Sequence, residues 1–147
     1  MALALYVGAA WLAAGVAFIA CTNRPRQETA FLLLFFESIN THVYSFFDDL
    51  FHWFATSREP VLFTCFLLYR SAIAPALLTG AAIAFRGPRA WFGILAGTAV
   101  FALLDVLNAS FKTVSLHEWN AAYAAAYFGL LLCAGVAALA GFRRLRS

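Results

Sequence analysis

Five long apolar runs, separated by short breaks that carry charged residues, constrain this chain more than any other feature. Each run has 20 residues or more. At a rise of about 1.5 Å per residue, a helix of that length crosses the hydrocarbon core of a bilayer, which is about 30 Å thick. The sequence therefore predicts an all-α bundle of five membrane-spanning helices, at about residues 2–21, 29–54, 61–85, 91–111 and 117–141.

The composition agrees with this class of protein. Hydrophobic residues make up 64% of the chain and charged residues 12%, against roughly 45–50% and 25% in a soluble domain. The breaks are too short for a separate soluble unit, so we expect one polytopic domain over residues 1–147. No basic residue precedes the first run, so we expect it to stay as a helix instead of being cleaved as a signal peptide.

The second run, residues 29–54, carries three of the seven acidic residues of the chain. Successive residues of a helix are about 100° apart, so polar positions spaced by three or four share one face. This spacing predicts one polar stripe, formed by Glu37, Thr41, Tyr44, Asp48 and His52 with Asn40 at its margin. An amphipathic helix of this kind either spans the bilayer or lies flat in its interface.

The distribution of basic residues predicts the orientation. Seven of the ten lie after the first run, after the third run or at the C-terminus, namely Arg24, Arg26, Arg86, Arg89, Arg143, Arg144 and Arg146. With five spans, only Arg58 and Lys112 fall on the opposite side. The positive-inside rule then predicts an outer N-terminus and an inner C-terminus, in the cytoplasmic (inner) membrane of a bacterium. If the second run lay flat in the interface, the basic residues would be divided more evenly between the two sides. Their distribution therefore favours a second run that spans the bilayer.

Four charged residues are candidates for the hydrocarbon layer: Glu37, Arg70, Asp105 and, at its outer boundary, Asp48. A charge in the hydrocarbon layer costs several kcal/mol unless it is paired or hydrated, so such residues are the first candidates for function. Glu37 lies about 12 Å from the inner surface, while Arg70 and Asp105 lie about 14 Å and 9 Å from the outer one. Because these depths overlap, we expect Arg70 to pair with Glu37 or Asp105, either to fix helix register or to hold an anionic ligand.

Further polar residues gather at the predicted outer mouth. Asp48 and His52 are four residues apart and can touch one cation or one proton path. The mouth is a proton or solute entrance, a solvated rim, or a metal site with Asp48 and His52 as weak candidates, since no established metal motif is present. The predicted ligand or ion pathway comprises Glu37, Tyr44, Asp48, Arg70, Asp105 and Asn108, and the predicted entrance comprises His52, His117 and Glu118.

Small residues repeat every fourth position in the first and last runs, which is typical of close helix contact. We expect these faces to pack helices together or to contact other membrane subunits or a second copy, within a lipid bilayer. The faces are Ala9, Ala13, Ala17 and Cys21, and then Ala121, Ala125, Gly129, Cys133, Ala137 and Gly141. In the last run, Ser115 with Glu118 is the predicted N-cap, and Trp119 is a predicted interfacial anchor.

Three functions remain open from the sequence. The leading one is a small membrane protein that binds or translocates a polar or charged solute, ion or proton through the Glu37, Arg70 and Asp105 site. A second is a non-catalytic accessory or assembly subunit of a larger membrane complex, and a third is a membrane enzyme acting on a lipid head group. No phosphate-binding loop, serine nucleophile motif or paired haem histidines are present, so no cofactor is predicted, and the short breaks leave little surface for nucleic acid.

Overall fold

The computed structural model describes residues 2–22, 25–84 and 90–145, and 84% of the chain is helical. Within the described part, five helices are long and apolar enough to cross a membrane, which suggests an integral membrane protein. The helices are α1 (Ala2–Cys21), α2 (Arg26–Asp49), α3 (Pro60–Ala84), α4 (Ala90–Ser110) and α5 (Ala121–Arg144). One π-helical turn, Tyr69–Ile73, interrupts the α-helical hydrogen bonding of α3.

The second helix is displaced toward the N-terminus relative to its prediction. It occupies Arg26–Asp49 instead of residues 29–54. Pro25 is its N-cap residue, because proline fixes the φ angle and needs no hydrogen-bond partner for its nitrogen. Thr29, where the second run was predicted to begin, lies inside the first turns of the helix.

The second helix ends early because the chain after it forms a strand. Strand β1 (Phe54–Thr56) pairs antiparallel with β2 (Val114–Leu116), and Ala55 faces Ser115 in this register. The backbone oxygen of Trp53 extends the contact by accepting hydrogen bonds from the N–H groups of residues 117, 118 and 119 at 3.0 to 3.2 Å. We call this unit, residues 53–56 with 114–119, the strand cap. Strands of three residues carry too little pattern to be found from the sequence, and they are the exception to the all-α prediction.

The strand cap also moves the start of the last helix. Ser115 lies in β2, so it does not cap α5 as predicted. Asn120 is the N-cap, and its side-chain oxygen accepts hydrogen bonds from the N–H groups of Ala122 and Tyr123 at 2.9 and 3.1 Å. This is the ordinary way in which an N-cap residue satisfies the free donors of a first turn.

The helices alternate in direction, so two ends of the bundle can be distinguished. At the end opposite the strand cap, Arg143 of α5 forms a two-pronged ion pair with Glu28 of α2, with N–O distances of 2.8 and 2.5 Å. We call this end the arginine end, because Arg26 and Arg144 lie there as well. Arg24, Arg86, Arg89 and Arg146, which belong to the predicted basic side, lie outside the described residues.

The core lies among α2, α3, α4 and α5, while α1 packs from outside mainly against α3. The small-residue face of α1 makes this contact, since Ala13 and Ala17 are buried and a Cβ on Gly80 of α3 would lie 3.7 Å from the Cα of Ala17. The corresponding face of α5 is largely open, and Cys133 is exposed there. The side chains with the deepest burial line the space between the other helices, among them Leu32, Phe36, Leu78, Phe101 and Phe128.

Candidate functional site

Helix α2 presents two different polar faces. The residues Leu32, Phe36, Asn40 and Tyr44, four apart, are all buried, and we call them the buried row. The flank beside it, formed by Glu37, Thr41, Ser45 and Asp48, is half-buried. The predicted single stripe is therefore divided: Tyr44 belongs to the buried row with Asn40, and Ser45 takes its place on the flank.

The first face leads to a buried carboxylate. Asp105 of α4 accepts hydrogen bonds at Oδ1 from the hydroxyls of Tyr44 and Tyr69, at 2.9 and 2.8 Å. Its Oδ2 accepts a hydrogen bond from Nε1 of Trp119 at 2.9 Å. These four residues come from α2, α3, α4 and the strand cap, and we call them the Asp105 cluster. The cluster thus joins three helices to the cap through one side chain.

The carboxyl group of Asp105 has three hydrogen-bond partners. All three, the two tyrosine hydroxyls and the indole N–H, are neutral donors. Aromatic rings cover it: the ring of Tyr44 lies 5.6 Å from that of Phe66 and 6.1 Å from that of Tyr127. Asp105 itself is 7% exposed. A solute would reach this carboxylate only if the surrounding rings moved.

A second set of contacts ties the buried row to α5. Nδ2 of Asn40 donates to the backbone oxygen of Arg70 at 2.8 Å, and the hydroxyl of Tyr127 donates to Oδ1 of Asn40 at 2.9 Å. The accepting oxygen lies in the π-helical turn, where the irregular backbone leaves carbonyls free to take other partners. Asn40 is fully buried with both ends of its amide occupied.

Asn108, predicted to line the pathway, has hydrogen-bond partners on α1 and at the end of α4. Its Oδ1 accepts a hydrogen bond from the hydroxyl of Tyr6 on α1, and its Nδ2 donates to the backbone oxygen of Leu104 at 3.0 Å. The hydroxyl of Thr113 donates to the backbone oxygen of Asn108 at 2.8 Å. Asn108 therefore links α1 to the C-terminal end of α4.

The second polar face of α2 is open, and Arg70 of α3 lies beside it. Nη1 of Arg70 donates to Oγ of Ser45 at 3.3 Å, and its guanidinium lies 5.8 Å from the ring centre of Phe66. Further along the same face, the hydroxyl of Thr41 is 3.5 Å from Oε1 of Glu37. We call the flank residues Glu37, Thr41, Ser45 and Asp48, together with Arg70, the Arg70 stripe.

The structure does not bring Arg70 to either predicted carboxylate partner. Among residues 2–22, 25–84 and 90–145, no carboxylate lies within 4.0 Å of its guanidinium, and its Nε is buried without a hydrogen-bond partner. The physical reason lies in the π-helical turn, where Tyr69 occupies the inward position next to Asp105 and Arg70 follows on the half-buried flank. Tyrosine and tryptophan donors fill the place that the arginine was predicted to take.

The predicted outer entrance is spread over the strand cap. Oδ2 of Asp48 accepts a hydrogen bond from the hydroxyl of Thr56 at 2.5 Å, and Nδ1 of His52 lies 2.9 Å from the backbone oxygen of Asp48. His52, His117 and Glu118 are exposed. Within the described part of the chain, no group of three or more His, Cys, Asp or Glu side chains is arranged to hold a metal ion. Asp48 and His52 meet through a backbone carbonyl and not through two side-chain ligands.

Sequence reasoning missed two residues of the Asp105 cluster and the ion pair of the arginine end. Tyr69 lies in an apolar run beside Arg70, and Trp119 was interpreted only as an interfacial anchor. The one available signal was a polar aromatic residue next to a charged one, Tyr69 beside Arg70 and Trp119 beside Glu118. Glu28 and Arg143 lie at opposite ends of the chain's helical part, so nothing local relates them.

No family model, curated protein or solved structure matches the chain. The candidate site is therefore defined by its own contacts. Of its two parts, the Asp105 cluster has its hydrogen bonds filled from within the chain, while the Arg70 stripe retains an unpaired arginine.

Proposed function

We propose that the chain is inserted in the cytoplasmic membrane of a bacterium with five spans, an outer N-terminus and an inner C-terminus. The arginine end then faces the cytoplasm and the strand cap faces outward, which the positions of Arg26, Arg143 and Arg144 against Arg58 and Lys112 support. A membrane-impermeant maleimide is expected to label Lys112→Cys in intact cells of a strain whose native cysteines are replaced. Labelling of a cysteine placed beside Arg144 instead would reverse the orientation.

We propose that this membrane protein binds a polar or charged solute at the Arg70 stripe, with Arg70 holding its anionic part. One observation carries the proposal: the Arg70 guanidinium, within the third span, has a buried Nε without a partner and no carboxylate at ion-pair distance in the described chain. An arginine in the hydrocarbon layer is costly unless something satisfies it. A carboxylate or phosphate of the ligand matches its planar donors.

The rest of the stripe suits a solute that is polar along its length. Ser45 and Thr41 offer hydroxyls next to Arg70, and Glu37 lies about 12 Å from Ser45 along the helix, at 1.5 Å per residue. A ligand can therefore meet a cation at one end and a carboxylate at the other. Glu37 and Asp48 are the groups proposed to exchange protons or cations with it.

The predicted function was binding or translocation of a solute, and of the two, binding has more support. Asp105 and Asn108 both have their hydrogen bonds satisfied by neighbouring helices, so a path through them requires those contacts to break. We assign these two residues, with Tyr44, to holding the bundle together. The binding surface is then limited to the flank of α2 and to Arg70.

The second candidate function is an accessory or assembly subunit of a larger complex. The half-buried position of the stripe on the outside of the bundle favours it, because a carboxylate on a neighbouring helix would also pair with Arg70. The open small-residue face of α5, including Cys133, offers a second place for such a neighbour. A lipid head-group enzyme stays a prediction without added support, since His52 and His117 lie exposed on the cap.

The test compares amphiphilic probes on the purified chain in lipid nanodiscs. We expect octanoate and octyl phosphate to raise the thermal unfolding midpoint of the wild type, with octylammonium as the cationic comparison. Arg70→Gln should abolish the rise, while Arg58→Gln, an exposed arginine at the strand cap, should keep it. An equal rise in Arg70→Gln would refute anion binding at Arg70. Loss of a stable larger complex from native membranes of the Arg70→Gln strain would favour the subunit function.

A further inference from the structure

A groove opens between α1 and α2 at the arginine end of the bundle. Its volume is about 520 Å³, and its lining residues are Phe18, Cys21, Thr22, Arg26, Thr29, Ala30 and Leu33. We propose that this groove binds an anionic phospholipid, with the phosphate at Arg26 and one acyl chain between Phe18 and Leu33. The groove lies near the start of α2, and Leu33 at its far edge is about 18 Å along the helix, at 1.5 Å per residue, from Ser45, the contact of Arg70.

The polar part of the groove holds a cation and a hydroxyl without internal partners. Within the described chain, Arg26 forms no ion pair, whereas Glu28, two residues later, is engaged by Arg143. Oγ1 of Thr29 is buried and has no hydrogen-bond partner among the described residues. A buried hydroxyl without a partner is destabilising, and a phosphate oxygen is a strong acceptor for it.

The start of α2 adds to the attraction for an anion. Pro25, the N-cap residue, forms no side-chain hydrogen bond to the first turn, and the N–H groups of Glu28 and Thr29 donate to its backbone oxygen at 3.0 and 3.4 Å. A helix N-terminus carries partial positive charge, which favours a phosphate at this position. The unpaired Arg26 and the buried Thr29 hydroxyl give the site its specific chemistry.

The apolar part of the groove explains why the ligand is a lipid and not a free phosphate. Phe18 is 74% exposed, and Ala30 and Leu33 continue the apolar wall along α2. Arg26 and Leu33 are separated by about 10 Å along the helix, at 1.5 Å per residue. That distance matches the separation between the head group of a phospholipid and the upper part of its acyl chain.

The charge of this end of the bundle favours an anionic head group. Three arginines lie here: Arg26, Arg143 and Arg144. The first turn of α2 adds one acidic residue, Glu28. Basic residues near a membrane surface attract anionic lipids. A zwitterionic lipid presents the same phosphate together with a cationic group that these arginines repel.

The test is native mass spectrometry of the full chain released from neutral detergent, with added phosphatidylglycerol, phosphatidylcholine or inorganic phosphate. We expect phosphatidylglycerol to bind at least about tenfold more tightly than phosphatidylcholine, and Arg26→Gln to weaken it about tenfold, the value of one charge-assisted contact. Thr29→Val should weaken it less, and Thr29→Ser should restore it. Arg58→Gln, at the opposite end of the bundle, is the matched control.

Phe18→Trp tests the acyl chain independently of the charge, since a larger ring should reduce lipid binding without removing Arg26. Circular dichroism of each variant establishes that it is folded. Unchanged phosphatidylglycerol binding in folded Arg26→Gln would overturn the proposal, and so would equal binding of the two lipids. Binding of inorganic phosphate as tight as that of the lipid would also overturn it, because the acyl chain would then contribute nothing.

Discussion

The buried row and the flank of the Arg70 stripe lie on the same helix, α2, about a quarter-turn apart, and both contain polar side chains. In the buried row, Asn40 and Tyr44 have hydrogen-bond partners on neighbouring helices. On the stripe, Arg70 has one long hydrogen bond to Ser45, and its buried Nε has no partner among the described residues. A polar residue in a span therefore does not by itself identify a binding site. The more useful criterion is whether other residues of the chain satisfy its hydrogen bonds.

Replacing Asp105, the centre of the Asp105 cluster, should have the largest effect on stability. Asp105→Ala leaves two tyrosine hydroxyls and the Trp119 indole without their acceptor, and each buried donor left unpaired costs about 1–3 kcal/mol. We expect the free energy of unfolding to fall by about 3 kcal/mol or more. The measurement is unfolding by sodium dodecyl sulfate in mixed micelles, followed by circular dichroism.

The control for this change is Asp49→Ala, an exposed aspartate near the end of α2, which should change the unfolding free energy by less than about 0.5 kcal/mol. If Asp105→Ala were as stable as the wild type, the Asp105 cluster would not be structural. The contrast between the two faces of α2 would then be lost.

The packing of the buried row should show the next largest effect. A Cβ on Gly135 of α5 would lie 2.2 Å from Cζ of Phe36, which is fully buried and has no room to move. We therefore expect Gly135→Ala to reduce stability by about 1–3 kcal/mol through overpacking. Gly141→Ala on the same helix has nothing within 4 Å and should be neutral or slightly stabilising. Equal stability of the two variants would show that α5 is not packed against Phe36.

The link between the buried row and α5 should contribute less. Tyr127→Phe removes the hydrogen bond to Asn40 and should lower the unfolding free energy by about 1 kcal/mol. The matched control, Tyr123→Phe, removes an exposed hydroxyl one turn earlier and should have almost no effect. A double-mutant cycle with Asn40→Ala should give a coupling energy above about 0.5 kcal/mol. A coupling near zero would contradict the contact.

The smallest effect on stability is expected on the stripe. Arg70→Gln loses a 3.3 Å hydrogen bond and a distant ring contact, so we expect the unfolding free energy to stay within about 1 kcal/mol of the wild type. The same titration measures it. A loss as large as that of Asp105→Ala would make Arg70 a structural residue and would remove the distinction on which the proposed binding site depends.

Much of the fold follows from local pattern. The apolar runs are long enough to require helices, and α1 has the predicted bounds, residues 2–21. The start of α3 and the end of α4 differ from prediction by one residue, and the other ends of these two helices border residues 85–89, which lie outside the described residues. The largest errors lie beside the strand cap, where the end of α2 and the start of α5 depend on pairing between residues 54–56 and 114–116. That pairing joins segments about sixty residues apart, and periodicity along the chain contains no information about it.

The candidate site was predicted less well than the helices. Glu37, Asp105 and Arg70 were recognised as intramembrane charges, since hydropathy alone makes them unusual. Their hydrogen-bond partners were not recognised, because an estimate of depth gives only the position of a residue along the membrane normal. The rotation of each helix about its axis decides which side chains meet, and in α3 the π-helical turn changes that rotation between Tyr69 and Ile73.

The sequence by itself determined that this chain forms five helices long and apolar enough to cross a membrane, because length and hydropathy act locally and need no knowledge of contacts. The tertiary structure decided that Tyr44, Tyr69 and Trp119 satisfy Asp105, and that Arg70 lies beside the open flank of α2. A buried carboxylate takes whichever donors the packed helices bring within about 3 Å. Packing, and not residue type, therefore separated the structural polar groups from the candidate binding group.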